Sequence, residues 1–257
     1  MSLVYEYGII GLPLAHSRSP QYFKEKFAEE KLNGYSYSAF PLSEISAIEE
    51  LITSHPNLYG LNVTSPYKQK VIPYLDELDS IAAQVGAVNV IKIERFGGRV
   101  KKTGYNSDVF ALCRILKEMK AERFDKTLIF GSGGAARAVC YALQQLSLPY
   151  TIVSRTPQVG EWHYRDITPA VLSEHHLLIN ATPLGMPPFE QEKPNIAYEG
   201  IGKAHFLFDM IYHPKETLFL KEGSRRGATT LNGEKMFLYQ AERSWDILRF
   251  QRGCFLC

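Results

Sequence analysis

The chain has 257 residues, 45% hydrophobic and 22% charged, with 29 Lys plus Arg against 27 Asp plus Glu for a net charge of +2. That is enough apolar material for one large domain or two modest ones, and the balanced charge, with no basic run denser than Arg99-Val100-Lys101-Lys102, argues against nucleic acid or an anionic membrane as partner. No window offers the ~18 uninterrupted apolar residues of a membrane span, and Met1-Ser2-Leu3-Val4-Tyr5-Glu6-Tyr7 lacks the basic and apolar regions of a secretory leader, so a cytoplasmic protein is expected.

Taken in chain order, the first half alternates strand and helix signals. Strands are predicted at Tyr5–Ile10, Tyr35–Phe40 and Leu58–Val63, and helices at Pro20–Lys31 and Ser43–Ser54. A short helix is expected near Lys68–Leu75, another at Asp79–Gln84. Val88–Ile93 and Arg99–Thr103, joined by Phe96-Gly97-Gly98, read as a hairpin. From Asp108, the apolar residues Val109, Leu112, Ile115, Leu116 and Met119 fall on one helical face.

Beyond that helix the pattern changes. Thr127–Phe130, Tyr150–Ser154, Leu177–Ile179 and His205–Asp209 are short, largely apolar runs of the buried type, alternating with helices at Gly133–Leu146, Thr217–Gly227 and Glu234–Phe250. Such an alternation predicts a parallel sheet covered on both faces. The fold class is therefore α/β in two domains, an N-terminal α/β domain and a second built on a parallel sheet, which the glycine-rich turn after Phe130 makes a Rossmann-type domain. The first boundary is placed near Tyr105.

After the strand Thr127–Phe130 comes Gly131-Ser132-Gly133-Gly134-Ala135-Ala136-Arg137, which fits G-x-G-x-x-G/A with Ala136 at the third small position. Small residues there allow a tight turn, backbone approach to a pyrophosphate and close helix–strand packing, and the helix N-terminus then holds the anion. A plain glycine turn is the alternative. An NAD site would carry an acid about 20 residues on; the second strand ends instead in Ser154-Arg155-Thr156. A guanidinium between two hydroxyls suits a 2′-phosphate, so the cofactor reading is NADP, against Arg155 as a solvated surface charge.

In the first half, Gly11-Leu-Pro-Leu-Ala-His16-Ser17-Arg18-Ser19-Pro20 leaves a strand and opens a helix, with Ser19 as N-cap and Pro20 at N1. Two hydroxyls at a helix start also make a carboxylate site. Leu61-Asn62-Val63-Thr64-Ser65-Pro66-Tyr67-Lys68 brings Asn62, Thr64 and Lys68 to a strand end, where Gly86-Ala-Val-Asn89 and Asn106-Ser107-Asp108 add amide and carboxylate groups. Cys113 and Cys140 sit in amphipathic stretches and read as small core residues. Cys254 and Cys257 have CxxC spacing without a second pair, so no metal site is expected.

These segments together resemble the shikimate dehydrogenase family over nearly the whole chain. The resemblance also takes in Asn180-Ala-Thr-Pro-Leu-Gly-Met186, Asp209-Met-Ile-Tyr212 and Gly233-x-x-Met-x-x-x-Gln-Ala241. It implies NADPH-dependent, reversible reduction of 3-dehydroshikimate to shikimate, with the substrate lying between two domains. On this reading residues 1–105, completed by 232–257, hold the substrate, residues 106–231 bind NADP, and the last helix packs back on the first domain. Ser17 and Ser19, helped by Tyr212, would hold the carboxylate; Asn62, Thr64, Asn89 and Gln240 would hold hydroxyls. Lys68 and Asp108 would flank the carbon that changes oxidation state. Gly131, Ser132, Gly133, Gly134, Ala135, Ser154, Arg155 and Thr156 would bind the dinucleotide, and Thr182, Met210, Gly233 and Met236 would face the cofactor or its nicotinamide.

The chemistry agrees with these roles. Hydride addition to a ketone leaves an alkoxide that must gain a proton; Lys68 is the natural donor and stabilises the growing charge, with Asp108 to orient it. Two departures stand out. The Pro157–Glu174 crossover is short, and Gln158 stands where many relatives carry a second basic residue, which lowers the expected preference for NADP. Rivals are a quinate or dual quinate/shikimate dehydrogenase and a catalytically silent, ligand-sensing relative. Shikimate is favoured because Ser17 and Ser19 are both present and no acid follows Val153, and the silent relative is disfavoured because Lys68 and Asp108 are both present. The expected assembly is a monomer or homodimer.

Overall fold

Apolar residues alternate or run together in short stretches separated by glycine, proline and asparagine, and each such stretch becomes a strand. The computed structural model describes residues 5–15 and 17–249; His16, Cys254 and Cys257 lie outside these. The chain divides into two compact units, residues 1–107 with 241–257, and residues 108–240. The sequence reading set its bounds at 105 and 231.

In the first unit, β1 (Tyr5–Gly11), β2 (Tyr35–Pro41), β3 (Leu58–Val63), β4 (Glu77–Leu78), β5 (Val90–Phe96) and β6 (Arg99–Tyr105) form one sheet in the order β2-β1-β3-β5-β6-β4. β1 runs parallel to both β2 and β3, whereas β5 is antiparallel to β3 and β6. The β5–β6 hairpin closes through Gly97 and Gly98 at φ of 57° and 76°, the positive values its two-residue turn demands.

Helices cover both faces of this sheet. Over one face, α2 (Ile48–Ser54) and α3 (Ser80–Val85) bury Ile48, Leu51, Ile52 and Ala82 against Ile10, Leu58, Leu61, Ile91 and Ile93. α3 starts at Asp79, whose carboxylate accepts the Ala82 N–H at 2.8 Å. On the other, α1 (Ser19–Glu29) lays Phe23 and Phe27 into an aromatic cluster with Tyr7 and Trp245. Trp245 belongs to α8 (Glu234–Arg249), and from Ala241 onward this helix is part of the first unit. The Tyr7 and Trp245 rings meet edge-on at 5.4 Å, a favoured aromatic geometry.

The second unit is an all-parallel sheet of β7 (Thr127–Phe130), β8 (Tyr150–Ser154), β9 (Trp162–His163), β10 (Leu177–Asn180), β11 (Phe206–Asp209) and β12 (Thr229–Leu231). Its order, β12-β11-β10-β7-β8-β9, reads 3-2-1-4-5-6 from the β9 edge, the doubly wound Rossmann arrangement. Every residue of β7, β10 and β11 is buried, as a sheet covered on both faces requires. Its helices are α4 (Asp108–Glu118), α5 (Gly134–Gln145), the single turn α6 (Pro169–Leu172), α7 (Leu218–Arg225) and the start of α8.

The structure corrects several element predictions. Instead of a helix at Lys68–Leu75 there is one 3₁₀ turn, Ile72–Tyr74, because Pro73 lacks the N–H that would continue it. The expected helix over Ser43–Ser54 begins as a 3₁₀ turn, Ile45–Ala47, before α2. β4, β9, α6 and β12, two to four residues each, are too short to show a period. The Pro157–Glu174 crossover contains no helix between β8 and β9. Cys140 is buried as expected, but Cys113 is only half-buried.

Trp245 is 2% exposed among Tyr7, Phe23 and Phe27, so Trp245→Ala is expected to cost about 3–5 kcal/mol of stability. Urea unfolding checks this; a loss below about 1 kcal/mol would contradict the anchoring role given to α8.

Candidate active site

Register places the first unit's polar residues at one end of its sheet. Ile10 is opposite Val63, Asn62 opposite Val90, and Val90 opposite Tyr105. The loop after β1 (Ser17, Ser19), the loop after β3 (Thr64, Lys68), Asn89 before β5 and Asn106-Ser107 after β6 therefore leave the same edge.

This end is held by amide side chains. Asn62, 6% exposed, accepts the Tyr37 hydroxyl at 2.7 Å on Oδ1 and donates through Nδ2 to Ser244 Oγ at 2.7 Å and to the Asn89 carbonyl at 3.3 Å. Asn89 accepts the Ser107 N–H at 2.7 Å and donates to Ser107 Oγ at 2.9 Å, while Asn106 donates to the Ala87 carbonyl at 2.8 Å. The last two ties fix the backbone just before Asp108, a buried residue that opens α4. Both N–H groups of Asn62 are thus already committed, leaving a ligand one acceptor lone pair on Oδ1. Thr64 and Lys68 are half-buried.

At the start of α1 the expected cap is corrected. Arg18 occupies the N-cap position with no side-chain cap, and Ser19 is the first helical residue. The Ser17 hydroxyl accepts the Ser19 N–H only at 3.4 Å. Ser19 is buried and Ser17 half-buried, and neither hydroxyl is needed to start the helix.

In the second unit, register sets Phe130 opposite Val153 and Asn180, and Asn180 opposite Asp209. Gly131, Ser154, Thr182 and Met210 therefore all follow or end strands at the sheet's C-terminal edge. Gly131, at φ of 109°, is packed so closely that an added Cβ would lie 3.1 Å from the Ala181 carbonyl oxygen and from Thr182 Cγ2. A Cβ at Gly133, by contrast, would meet nothing within 4 Å. Gly133 is the N-cap of α5 and supplies no side-chain cap, so the turn is uncrowded on the side where its Cβ would stand. A helix N-terminus behind a glycine-rich turn suits an anion, and the residues present fit a dinucleotide. Ser132 is exposed, with Gly134 and Ala135 half-buried beside it.

The loops beyond β10 and β11 are tied by one buried carboxylate. Asp209, fully buried, accepts Thr217 Oγ1–H at 2.6 Å, the Ile211 N–H at 3.0 Å and Asn180 Nδ2–H at 3.1 Å. Asn180 in turn accepts from Thr182, from its hydroxyl at 2.6 Å and its N–H at 3.1 Å. Burial pushes the Asp209 carboxyl up to about 6, against the pull of the three donors. Tyr212 rests against Phe237 with ring centroids 4.9 Å apart. A Cβ on Gly233 would fall 2.1 Å from the Met210 carbonyl oxygen, so only glycine fits there. Met236 is buried, and the Gln240 amide donates to the Phe237 carbonyl of its own helix at 3.1 Å.

Arg155 and Thr156 are exposed at the end of β8, and Ser154 is buried. Arg155 makes no hydrogen bond or ion pair among the described residues, and its charge opposes the burial that pushes Tyr164 up to about 12. Sequence reasoning missed three participants, namely Tyr37 and Ser244 beneath Asn62, and Glu161, whose carboxylate accepts Ser154 Oγ–H at 3.1 Å. Nothing in the local pattern marks them, since each acts through the fold.

Among the described residues no cluster of His, Cys, Asp or Glu is arranged to hold a metal, and no helix is long and apolar enough to cross a membrane. A Rossmann unit with an open phosphate turn, joined to a unit with an amide- and hydroxyl-lined sheet end, defines a two-unit, dinucleotide-dependent oxidoreductase. The family model for the shikimate dehydrogenase substrate binding domain matches residues 9–91. A Carboxydothermus hydrogenoformans protein named shikimate dehydrogenase (NADP(+)) is 38% identical, over 93% of this chain and 89% of its own. The chain belongs to the shikimate dehydrogenase family. The crystal structure of shikimate dehydrogenase from Aquifex aeolicus superposes with a TM-score of 0.84 at 30% identity, covering 100% of this chain and 96% of that one. Quinate dehydrogenase from Corynebacterium glutamicum in complex with NAD gives 0.81 at 28% identity, over 96% and 94%.

The Asp209 network yields a pH-dependent expectation. Its folded-state value lies above the ordinary 3.8, so the native state holds the proton more tightly, and this group's contribution to stability falls as pH rises from about 4 to about 6. Thr217 donates to the charged form and also caps α7 through the Leu220 N–H. Thr217→Val is expected to cost about 1–3 kcal/mol, and more at pH 8 than at pH 5, as measured by chemical unfolding. An equal loss at both pH values would contradict the role given to the carboxylate.

Proposed function

We propose that this protein is an NADP-dependent shikimate dehydrogenase, reducing the ketone of 3-dehydroshikimate to the shikimate hydroxyl and running the reverse oxidation. The observation that carries the reading is the near full-length match to a shikimate dehydrogenase (NADP(+)); in this chain Lys68 follows β3 and Asp108 opens α4. Ser17 and Ser19 take the substrate carboxylate, with Tyr212; Thr64, Asn89, Gln240 and the remaining Oδ1 lone pair of Asn62 take hydroxyl groups. Tyr37 and Ser244 position Asn62 rather than touch substrate.

When bound, NADPH supplies the hydride and NADP accepts it. The chain's own work is to bind, orient and move a proton. The Lys68 ammonium donates a proton to the developing alkoxide and stabilises its charge, and Asp108 orients that ammonium. In the oxidative direction Lys68 takes the hydroxyl proton. Gly131 to Ala135 hold the pyrophosphate at the start of α5, and Ser154, Arg155 and Thr156 hold the 2′-phosphate. Thr182, Met210, Gly233 and Met236 would face the cofactor or its nicotinamide. The Thr182 hydroxyl is spent on Asn180, so Thr182 contributes shape there more than a hydrogen bond. The same reading makes the protein cytoplasmic, a monomer or homodimer.

Two substitutions test the assignment. Lys68→Ala is expected to lower kcat roughly 10²–10⁴-fold while shikimate still binds; an unchanged kcat would overturn the role of Lys68. Asp108→Asn should act in the same direction, and the double variant should lose less than the product of the singles because the pair works as a unit. Because α1 has no side-chain cap, Ser17→Ala should raise KM for shikimate by an amount worth about 1–3 kcal/mol and leave Tm in place. A lowered Tm with unchanged KM would return Ser17 to a structural role.

A further inference from the structure

We propose that Glu161 is a specificity-determining residue of the cofactor site, a carboxylate set beside the 2′-phosphate position that holds down the preference for NADP over NAD. The inference deepens the NADP reading and rests on it. Its origin is the connection between β8 and β9. Parallel neighbours are normally joined by a dozen or more residues, usually through a helix, but here only residues 155–161 separate Ser154 from Trp162, with no helix among them. His163 is nevertheless paired alongside Ser154. The chain must leave the end of β8 and come straight back, and the residue on the returning arm is Glu161.

That carboxylate is bound in place. Its Oε2 accepts the Ser154 hydroxyl at 3.1 Å and the Gln158 N–H at 3.1 Å. Ser154 is 3% exposed, so its hydroxyl is a buried donor already turned to an anion. Arg155, the cation of the same turn, is exposed and makes no hydrogen bond or ion pair with Glu161 among the described residues. One strand end thus presents two opposed groups. The guanidinium attracts a dianionic 2′-phosphate, while the carboxylate repels it and competes for Ser154 Oγ. A bare ribose 2′-hydroxyl, in contrast, can donate to a carboxylate at a strand end, the contact by which NAD sites are ordinarily built. Glu161 therefore weakens NADP and favours NAD, and Gln158, whose backbone N–H helps to hold the carboxylate, adds no charge to offset it.

The test reads binding rather than turnover. Dissociation constants for NADP, NAD and adenosine 2′,5′-bisphosphate are measured by calorimetry for the wild type, Glu161→Gln, Glu161→Lys and Arg155→Ala at low and high salt. Glu161→Gln keeps an acceptor for Ser154 and removes the charge. It is expected to tighten NADP and the bisphosphate about tenfold or more, to leave NAD unchanged or weaker, and to lose part of that gain at high salt as screening grows. Glu161→Lys should widen the NADP/NAD ratio further and stands as the second reading if the Gln variant folds poorly. If both Glu161 variants leave that ratio within twofold of wild type while Arg155→Ala still weakens NADP alone, the role of Glu161 is overturned and the phosphate site stands. If Arg155→Ala also leaves the ratio unmoved, the phosphate-site reading falls, and the proposal with it.

Discussion

The second unit is organised by the gap where its chain reverses direction across the sheet. From β7 the chain winds through β8 to β9 at one edge; from β10 it winds through β11 to β12 at the other. The C-terminal ends of β7 and β10 are neighbours, yet their loops depart to opposite sides, which opens the crevice in which such sheets bind ligands. For the two loops to lie this close, residue 131 must lack a side chain and adopt a positive φ, and Gly131 does both. The Asn180–Asp209 pair then fastens the β10 and β11 loops together beneath Thr182 and Met210. Burying that carboxylate is tolerable only because three donors face it. The shape of the dinucleotide site thus depends on a glycine that cannot be replaced and a buried acid that cannot lose its donors.

The first unit solves a similar problem with amides. Asn62 and Asn89 do not dangle from strand ends waiting for a ligand; each is locked by hydrogen bonds to neighbouring chain segments, Asn62 to Tyr37 and Ser244, Asn89 to Ser107. A polar group held this way presents its remaining lone pair in one direction, which is what a site recognising several hydroxyls needs. Ser244 lies on the part of α8 that carries Trp245, so the aromatic cluster that anchors the helix also seats the partner of Asn62. Packing and the positioning of the Asn62 amide share one element there.

What could be read from the sequence follows from how local each signal is. The turn after β7 is written in consecutive residues, 131 to 137, and the β5–β6 hairpin in Gly97-Gly98, so both were legible. The parallel sheet covered on both faces followed from the alternation of apolar runs and helices, although β9 and β12, two and three residues long, left no period to detect and the strand order came only from the structure. The resemblance supplied the roles of Lys68 and Asp108, which spacing alone does not. Tyr37 and Ser244 were illegible because their partner Asn62 lies 25 and 182 residues away. Glu161 escaped for a subtler reason. The residues after Val153 were read for an acid next in sequence, whereas a shortened crossover returns one from seven residues beyond Ser154. The position of Ser19 was misjudged by a single residue, which was enough to turn a cap into the first residue of a helix.

The central claim is that the protein oxidises and reduces the shikimate/3-dehydroshikimate pair with NADP. Its most direct test is a side-by-side assay of the purified protein with NADP and either shikimate or quinate, following NADPH formation by its near-ultraviolet absorbance. The account predicts shikimate-dependent formation of NADPH, with kcat/KM for shikimate above that for quinate. No turnover of shikimate, or a higher kcat/KM for quinate, would contradict it.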